Sequence, residues 1–155
     1  MISTTEMTTT RGRDQFYPTP PSIAGKMLAG LDLRLIQSVL EPSAGKGNLI
    51  GAIARMNTDA GYSSHKLDID FCEIDPYLRQ ICRYNFSDEK RDEFADQYRP
   101  LDHMLYSSRT PEQTAEMNRL RREMKVIDML DVHCVNDDFL TYRTYKRYEI
   151  GRAHV

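Results

Sequence analysis

The sequence predicts an α/β fold in which an incomplete parallel sheet is flanked by helices. Two observations support this prediction. Apolar runs of strand length alternate with segments of helical periodicity along the chain. The runs end in acidic or polar residues, followed by a turn and then a helix start. Strands that alternate with helices pair in parallel through right-handed crossovers, so their carboxyl ends should meet at one edge of the sheet.

The N-terminal segment precedes the predicted sheet. Residues 1–13 are polar and rich in threonine, and we expect them to be disordered. The prolines at positions 18, 20 and 21 hold the following residues extended, because a residue before proline avoids helical conformation. A helix is expected to begin near Ser22. Its predicted inner face comprises Ile23, Met27, Leu28 and Leu31.

Two strand–helix units follow. A strand at residues 35–40 leads through a glycine turn into a helix, and a second strand at residues 67–73 leads into a helix that Pro76 can open. The predicted inner face of the first helix comprises Leu49, Ile50, Ile53 and Ala54. That of the second comprises Leu78, Ile81 and Cys82.

A charged helical insertion at residues 87–131 interrupts the alternation of strands and helices. It contains one predicted helix, for which Thr110 is a suitable N-cap and Pro111 a suitable first residue. The apolar stripe of this helix comprises Met117, Leu120, Met124 and Ile127. A surface helix packed on the core is the favoured interpretation, and a partner or substrate role is the alternative. A short third strand is expected at residues 132–135.

Composition limits the function further. The net charge of −2 and the sequence pI of about 6.1 provide no global basic field for nucleic acid. The three cysteines Cys72, Cys82 and Cys134 are odd in number and lack C-x-x-C spacing. Cys72 falls on a predicted strand and Cys82 on a predicted helix, so both are expected to be small buried hydrophobes in a reduced, cytoplasmic protein. No apolar run approaches the roughly 20 residues of a membrane span, so we expect no membrane association.

Four segments have the residue types that a nucleoside ligand with an amino-acid tail requires. Glu73, after the second strand, can accept both hydroxyls of a ribose. Asp138, after the third strand, can accept from an adenine amine, and Phe139 can stack on the ring. The candidates for the amino-acid end are Glu41, Thr19 and the glycine turn, where Gly45 and Gly47 permit close backbone approach.

Each assignment has a structural alternative. Glu73 could cap the helix opened by Pro76, Asp137 and Asp138 could be turn residues, and Thr19 could belong to a linker. A P-loop is excluded because Lys46 is followed by glycine rather than Ser or Thr. A dinucleotide fingerprint is disfavoured because Ile50 occupies the position of its third glycine.

The four segments are Phe-Tyr-Pro-Thr-Pro-Pro at 16–21, Glu-Pro-Ser-Ala-Gly-Lys-Gly at 41–47, Glu-Ile-Asp-Pro at 73–76 and Asp-Asp-Phe-Leu at 137–140. In this order they resemble the cofactor half of S-adenosyl-L-methionine-dependent DNA methyltransferases, most closely the adenine-specific enzymes with an Asn-Pro-Pro-aromatic motif. The resemblance implies a Rossmann-like class I methyltransferase fold, S-adenosyl-L-methionine as cofactor and DNA as partner of the complete protein. The implied cofactor-binding residues are Thr19, Glu41, Pro42, Ala44, Gly45, Gly47, Glu73, Ile74, Asp138 and Phe139.

The Asn-Pro-Pro-aromatic motif itself is missing, and no asparagine of the chain precedes a proline. We therefore expect a partial domain at residues 14–149, followed at 150–155 by a non-native tail that resembles a translated sequencing adapter. The complete enzyme is expected to methylate adenine in DNA, and this chain is expected to be inactive. A non-catalytic cofactor- or partner-binding fragment, or a methyltransferase acting on RNA or protein, remains the alternative.

Overall fold

A computed structural model describes residues 18–32, 35–59, 66–144 and 149–150. The expected disordered tail at 1–13 and residues 151–155 lie outside this range, as do the aromatic residues at 16 and 17. Four parallel strands form one sheet in the order β3-β2-β1-β4. The strands are β1 (Ser38–Glu41), β2 (Leu67–Cys72), β3 (Leu130–Asn136) and β4 (Glu149–Ile150). The predicted α/β class with a parallel sheet is confirmed.

Two expectations about the strands are corrected. β1 begins at Ser38 rather than at Leu35, which is largely exposed. A sheet of three strands was also expected, but Glu149 and Ile150 pair with β1 as a fourth strand. Ile150 was assigned to the non-native tail. Its backbone extends the sheet because β1 offers unpaired backbone groups on the side away from β2.

Among the described residues, five α-helices accompany the sheet: α1 (Pro21–Leu28), α2 (Asn48–Asp59), α3 (Pro76–Asn85), α4 (Asp88–Asp102) and α5 (Pro111–Asp128). The predicted inner face of α1 is wrong except at Leu28. Ala24 and Leu28 are buried, whereas Ile23, Met27 and Leu31 are exposed. This eight-residue helix packs against α2. Packing on one neighbouring helix buries only a narrow stripe of residues spaced i, i+4.

The 87–131 insertion is a helical hairpin, so the prediction of a single helix there is wrong. The additional helix, α4, contains no buried residue, and its charged composition conceals the partly buried stripe Phe94, Tyr98 and Leu101. α4 packs on α5, and the Arg91–Asp128 ion pair joins the two helices at the surface. The hairpin is therefore attached to the rest of the protein mainly through α5, and α4 packs on α5 from outside.

α5 follows its prediction closely. Thr110 and Gln113 form a reciprocal capping box, and Pro111 is the first helical residue. Met117, Leu120 and Ile127 are buried as expected, Met124 is half-buried, and Val126 is an additional core residue. Ion pairs of Glu123 with Arg55 and of Arg122 with Asp59 attach α5 to α2.

The hydrophobic core lies between one face of the sheet and the helices. β2 supplies Leu67, Ile69 and Phe71, all buried as predicted. Ile50, Ile53 and Ala54 of α2, Cys82 of α3 and Val126 of α5 cover them. Cys72 and Cys82 are fully buried, and the described residues contain no cluster that could bind a metal ion. Within the described ranges, no helix is long and apolar enough to cross a membrane.

Candidate functional site

The candidate site lies at the edge of the sheet where β1, β2 and β3 end. Glu41 is the last residue of β1, Glu73 directly follows β2, and Asp138 lies two residues beyond β3. Since the strands are parallel, these acidic residues follow strand ends at the same edge.

The turn after β1 requires its two glycines. Gly45 and Gly47 have φ angles of 56° and 87°, a region that side chains with a Cβ seldom occupy. A Cβ on Gly47 would also lie 2.5 Å from Cε2 of Phe86 and 3.1 Å from Sγ of Cys82. Gly47 therefore serves both the turn and the close packing of α2 against the end of α3.

The backbone amides of this turn are already hydrogen-bonded within the protein. Ala44 N–H donates to the carbonyl of Cys72 at 3.0 Å, and Gly47 N–H donates to that of Ala44 at 2.8 Å. Gly45 N–H donates to Oε2 of Glu73 at 2.6 Å. These three amides are therefore engaged internally, and their hydrogen bonds fix the shape of the turn.

Glu73 is the side chain that joins the turn to β2. It is 6% exposed, and its second oxygen, Oε1, accepts from Asp75 N–H at 2.9 Å. The cap of α3 is Asp75, which accepts from the amides of Tyr77 and Leu78, so Glu73 is not the helix cap. A carboxylate offers about four acceptor positions, and two of those on Glu73 remain after these bonds.

Glu41 is a second buried carboxylate at this edge. Its Oε1 accepts from Ser43 N–H at 3.0 Å, and the residue is 8% exposed. Burial raises the pKa of Glu41 to about 7; the Ser43 amide lowers this pKa, and the charge of Glu73 raises it further. The edge thus holds two neighbouring acidic groups for which a bound cation would be favourable.

The end of α3 supports the glycine turn, which the sequence interpretation missed. Asn85 donates from Nδ2 to the carbonyl of Lys46 at 2.9 Å, and Phe86 packs against Gly47. Burial raises the pKa of Cys82 to about 12, with a further contribution from Glu73, so this thiol remains protonated as a small apolar group. The apolar periodicity of α3 indicated Cys82, but no local signal indicated Asn85.

Asp138 has an observed structural role. Its Oδ1 accepts from Leu140 N–H at 2.9 Å and caps the 3-10 turn Phe139–Thr141. Asn136 holds the same turn by donating from Nδ2 to the Asp138 carbonyl at 3.0 Å and to the Thr141 hydroxyl at 2.9 Å. The turn alternative for Asp138 is therefore confirmed, and its adenine contact stays a prediction.

Exposed apolar side chains accompany the carboxylates. Ile74, which follows Glu73, is 69% exposed, and Phe139, which follows Asp138, is 38% exposed. An exposed large hydrophobe after Glu73 and another after Asp138 offer apolar surface that a flat, partly apolar ring could cover.

The remaining candidates are Thr19, Pro42 and Ala44. Ala44 is buried in the core, Pro42 is half-buried in the turn, and Thr19 is half-buried before α1. α1 contacts α2, the helix that begins after the glycine turn. Contact of Thr19 itself with the turn stays a prediction.

Arg79 was not singled out from the sequence, although it links two of the segments. Its Nη1 donates to the carbonyl of Glu73 at 3.2 Å, and its guanidinium forms an ion pair with Asp137. Asp137 was interpreted as a possible turn residue. Its pairing depends on residues 58 positions apart in the chain, for which no local pattern exists.

A concave feature lies elsewhere in the fold. An open depression of about 450 Å³ is lined by Tyr106, Arg109, Pro111, Thr114, Ala115 and Asn118. All of these belong to α5 or to its connection with α4, and none belongs to the four segments. Its charged lining residue, Arg109, donates to the carbonyls of Asp102 and Met104, whereas two buried carboxylates lie at the strand ends, so we assign the candidate site to the latter.

Comparisons of this chain with protein-family models, with curated proteins and with solved structures find no match. A functional interpretation therefore depends on the four segments and on the geometry at the strand ends.

Proposed function

We propose that this chain is the S-adenosyl-L-methionine-binding part of a methyltransferase with a Rossmann-like class I fold. The strand order supports this proposal. Doubly wound nucleotide-binding sheets have the order 3-2-1-4 in their first four strands, and β3-β2-β1-β4 is the same order with the same parallel direction. Such sheets bind ligands beyond the carboxyl ends of their strands, where the candidate residues lie.

The observation that carries the proposal is the buried hydrogen bond from Gly45 N–H to Oε2 of Glu73. It measures 2.6 Å and joins two of the four segments across 28 residues of chain. This bond keeps the carboxylate beside the glycine turn. The free acceptor positions of the Glu73 carboxylate can then receive hydrogen bonds from the two hydroxyls of a ribose that lies against the turn.

The other residues suit the remaining parts of the cofactor. Asp138, Phe139 and Ile74 combine one carboxylate with two exposed apolar side chains, as an adenine ring requires. Glu41, together with Pro42 and Thr19, would face the methionine end, whose ammonium complements a buried carboxylate. When bound, the cofactor supplies a methyl group activated on a sulfonium.

We propose the exocyclic amine of adenine in DNA as the methyl acceptor of the complete enzyme. Support for this acceptor comes from the resemblance of the four segments to adenine-specific enzymes. None of the 155 residues matches the Asn-Pro-Pro-aromatic motif, so we assign no catalytic residue and expect this chain to bind cofactor without transferring its methyl group.

Titration calorimetry of the 155-residue chain with S-adenosyl-L-methionine and S-adenosylhomocysteine tests the proposal. Glu73→Gln should weaken both ligands by about 1.5–3 kcal/mol, the range for hydrogen bonds to a charged group. Glu116→Gln is the matched control, because Glu116 pairs with Arg119 on the surface of α5. The proposal is wrong if the folded wild-type chain binds neither ligand, or if Glu73→Gln binds as the wild type does.

A further inference from the structure

We propose that Arg79 is a positioning residue that holds the ends of β2 and β3 together and so sets the separation between Glu73 and Asp138. The inference rests on the function proposed above, and it deepens that function by naming what aligns the ribose and adenine contacts. Arg79 itself is not assigned a contact with the ligand.

The geometry of Arg79 places its acceptors on two different segments. The residue lies in the first turn of α3, and its side chain is 18% exposed. One acceptor is the carbonyl of Glu73, at 3.2 Å from Nη1, and the other is the carboxylate of Asp137. Each acceptor adjoins or belongs to a residue proposed to bind the nucleoside.

The sheet alone does not provide this alignment. The pairing of β2 with β3 shifts register between Phe71 and Cys72, and its last pair is Cys72 with Asn136. Glu73 and Asp138 both lie beyond that pair. Their separation therefore depends on contacts made outside the β ladder.

The part of the site around Glu73 and the turn after β3 are each held in place by their own hydrogen bonds. Glu73 is fixed by the amides of Gly45 and Asp75, and the turn after β3 is fixed by Asn136 and by Asp138. Arg79 connects these two units. A guanidinium is suited to this because its planar set of five donors can serve a carbonyl and a carboxylate together.

A purely stabilising surface ion pair is the competing explanation. The side chain of Asp137 is 70% exposed, and pairs with such exposed carboxylates contribute little to global stability. The two explanations therefore differ in what they predict for ligand binding and for thermal stability.

The binding test uses S-adenosylhomocysteine and 5′-methylthioadenosine, which share the nucleoside. Arg79→Met, which keeps an unbranched side chain without charge, should weaken both ligands by the same factor of about ten, with the melting temperature nearly unchanged. Asp137→Asn should weaken them similarly, and the double variant should bind no worse than Arg79→Met. Arg119→Met is the control, since Arg119 pairs only with Glu116 among the described residues. Unchanged affinity in Arg79→Met, or additive losses in the double variant, would overturn the proposal.

Amide hydrogen exchange provides a readout without ligand. Arg79→Met should accelerate exchange in residues 137–141 and leave β2 unaffected. Accelerated exchange throughout β2 and β3 would indicate a general structural role and contradict the proposal. If Glu73→Gln loses affinity while Arg79→Met does not, the positioning role is wrong and the proposed function stands. If the wild-type chain binds neither ligand, the proposed function is wrong, and the positioning role of Arg79 is wrong as well.

Discussion

The strand-end site and the α4–α5 hairpin of this protein are stabilised in opposite ways. At the strand ends, a turn with two positive-φ glycines lies beside two buried carboxylates, which accept hydrogen bonds from backbone amides of the turn. In the hairpin, capping residues begin each helix, the partly buried stripe of α4 packs on α5, and the Arg91–Asp128 ion pair joins the two helices at the surface. When a buried polar group loses its hydrogen-bond partner, water cannot take the partner's place, whereas an exposed group that loses its partner is hydrated. Substitutions of polar groups and turn residues should therefore change stability more at the strand ends than on the surface of the hairpin.

Gly47→Ala should show the largest effect. The new Cβ forces an unfavourable φ and overlaps Phe86, and together these should lower the free energy of unfolding by about 4 kcal/mol. Urea denaturation measures this loss. Gly25→Ala in α1 is the control, because a Cβ there meets nothing within 4 Å and should slightly stabilise the helix. Equal effects of the two substitutions would show that the positive φ and the close packing at Gly47 have no cost.

Glu41→Gln should show the next largest effect, and it should depend on pH. The folded pKa of Glu41 is raised from 4.5 to about 7, so ionisation disfavours the folded state. The loss of folding stability that this ionisation causes is absent below about pH 4.5, grows as the pH rises toward 7 and is constant above that. At its full size it corresponds to roughly 3 kcal/mol.

Urea denaturation of both proteins at pH 5 and pH 8 measures this dependence. The free energy of unfolding of Glu41→Gln relative to the wild type should rise between these two pH values. A difference that is the same at both would show that Glu41 titrates normally. The corresponding hairpin substitution, Glu116→Gln, should show no such rise, because Glu116 lies at the surface beside Arg119.

Thr110→Ala should show the smallest effect. It removes the side-chain half of the capping box at the start of α5 and should cost about 1 kcal/mol. Thermal unfolding measures the loss, and cofactor affinity should not change because α5 lies outside the proposed site. Thr110→Ser, which retains the hydroxyl, should restore stability. A loss of cofactor affinity in Thr110→Ala would show that the hairpin and the strand ends are coupled.

Local sequence signals were sufficient where one segment contains its own determinants. The alternation of Leu67, Ile69 and Phe71 predicted β2, and Thr110 with Pro111 predicted the start of α5. The glycine turn was predicted because positive φ angles at Gly45 and Gly47 are rare for other residues. In each case, the relevant energy depends on residues within a few positions of one another.

Tertiary contacts decided the features that local signals left open or misassigned. α4 was missed because its sequence is mostly charged, and its few apolar residues become partly buried only when α4 packs on α5. The inner face of α1 was misplaced because only its contact with α2 determines which stripe is buried. The fourth strand was not expected because residues 150–155 were assigned to a non-native tail, whereas Glu149 and Ile150 pair with β1 across about 110 positions of chain.

By itself, the sequence determined the α/β class, the glycine turn, and the placement of acidic residues after the strands. These follow from backbone sterics and side-chain periodicity, which act over short stretches of chain. Only the tertiary structure decided that Glu73 accepts from Gly45, that Glu41 becomes a buried acid with a raised pKa, and that Arg79 pairs with Asp137. Burial and hydrogen bonding between distant segments arise only after the strands have assembled, so no local pattern encodes them.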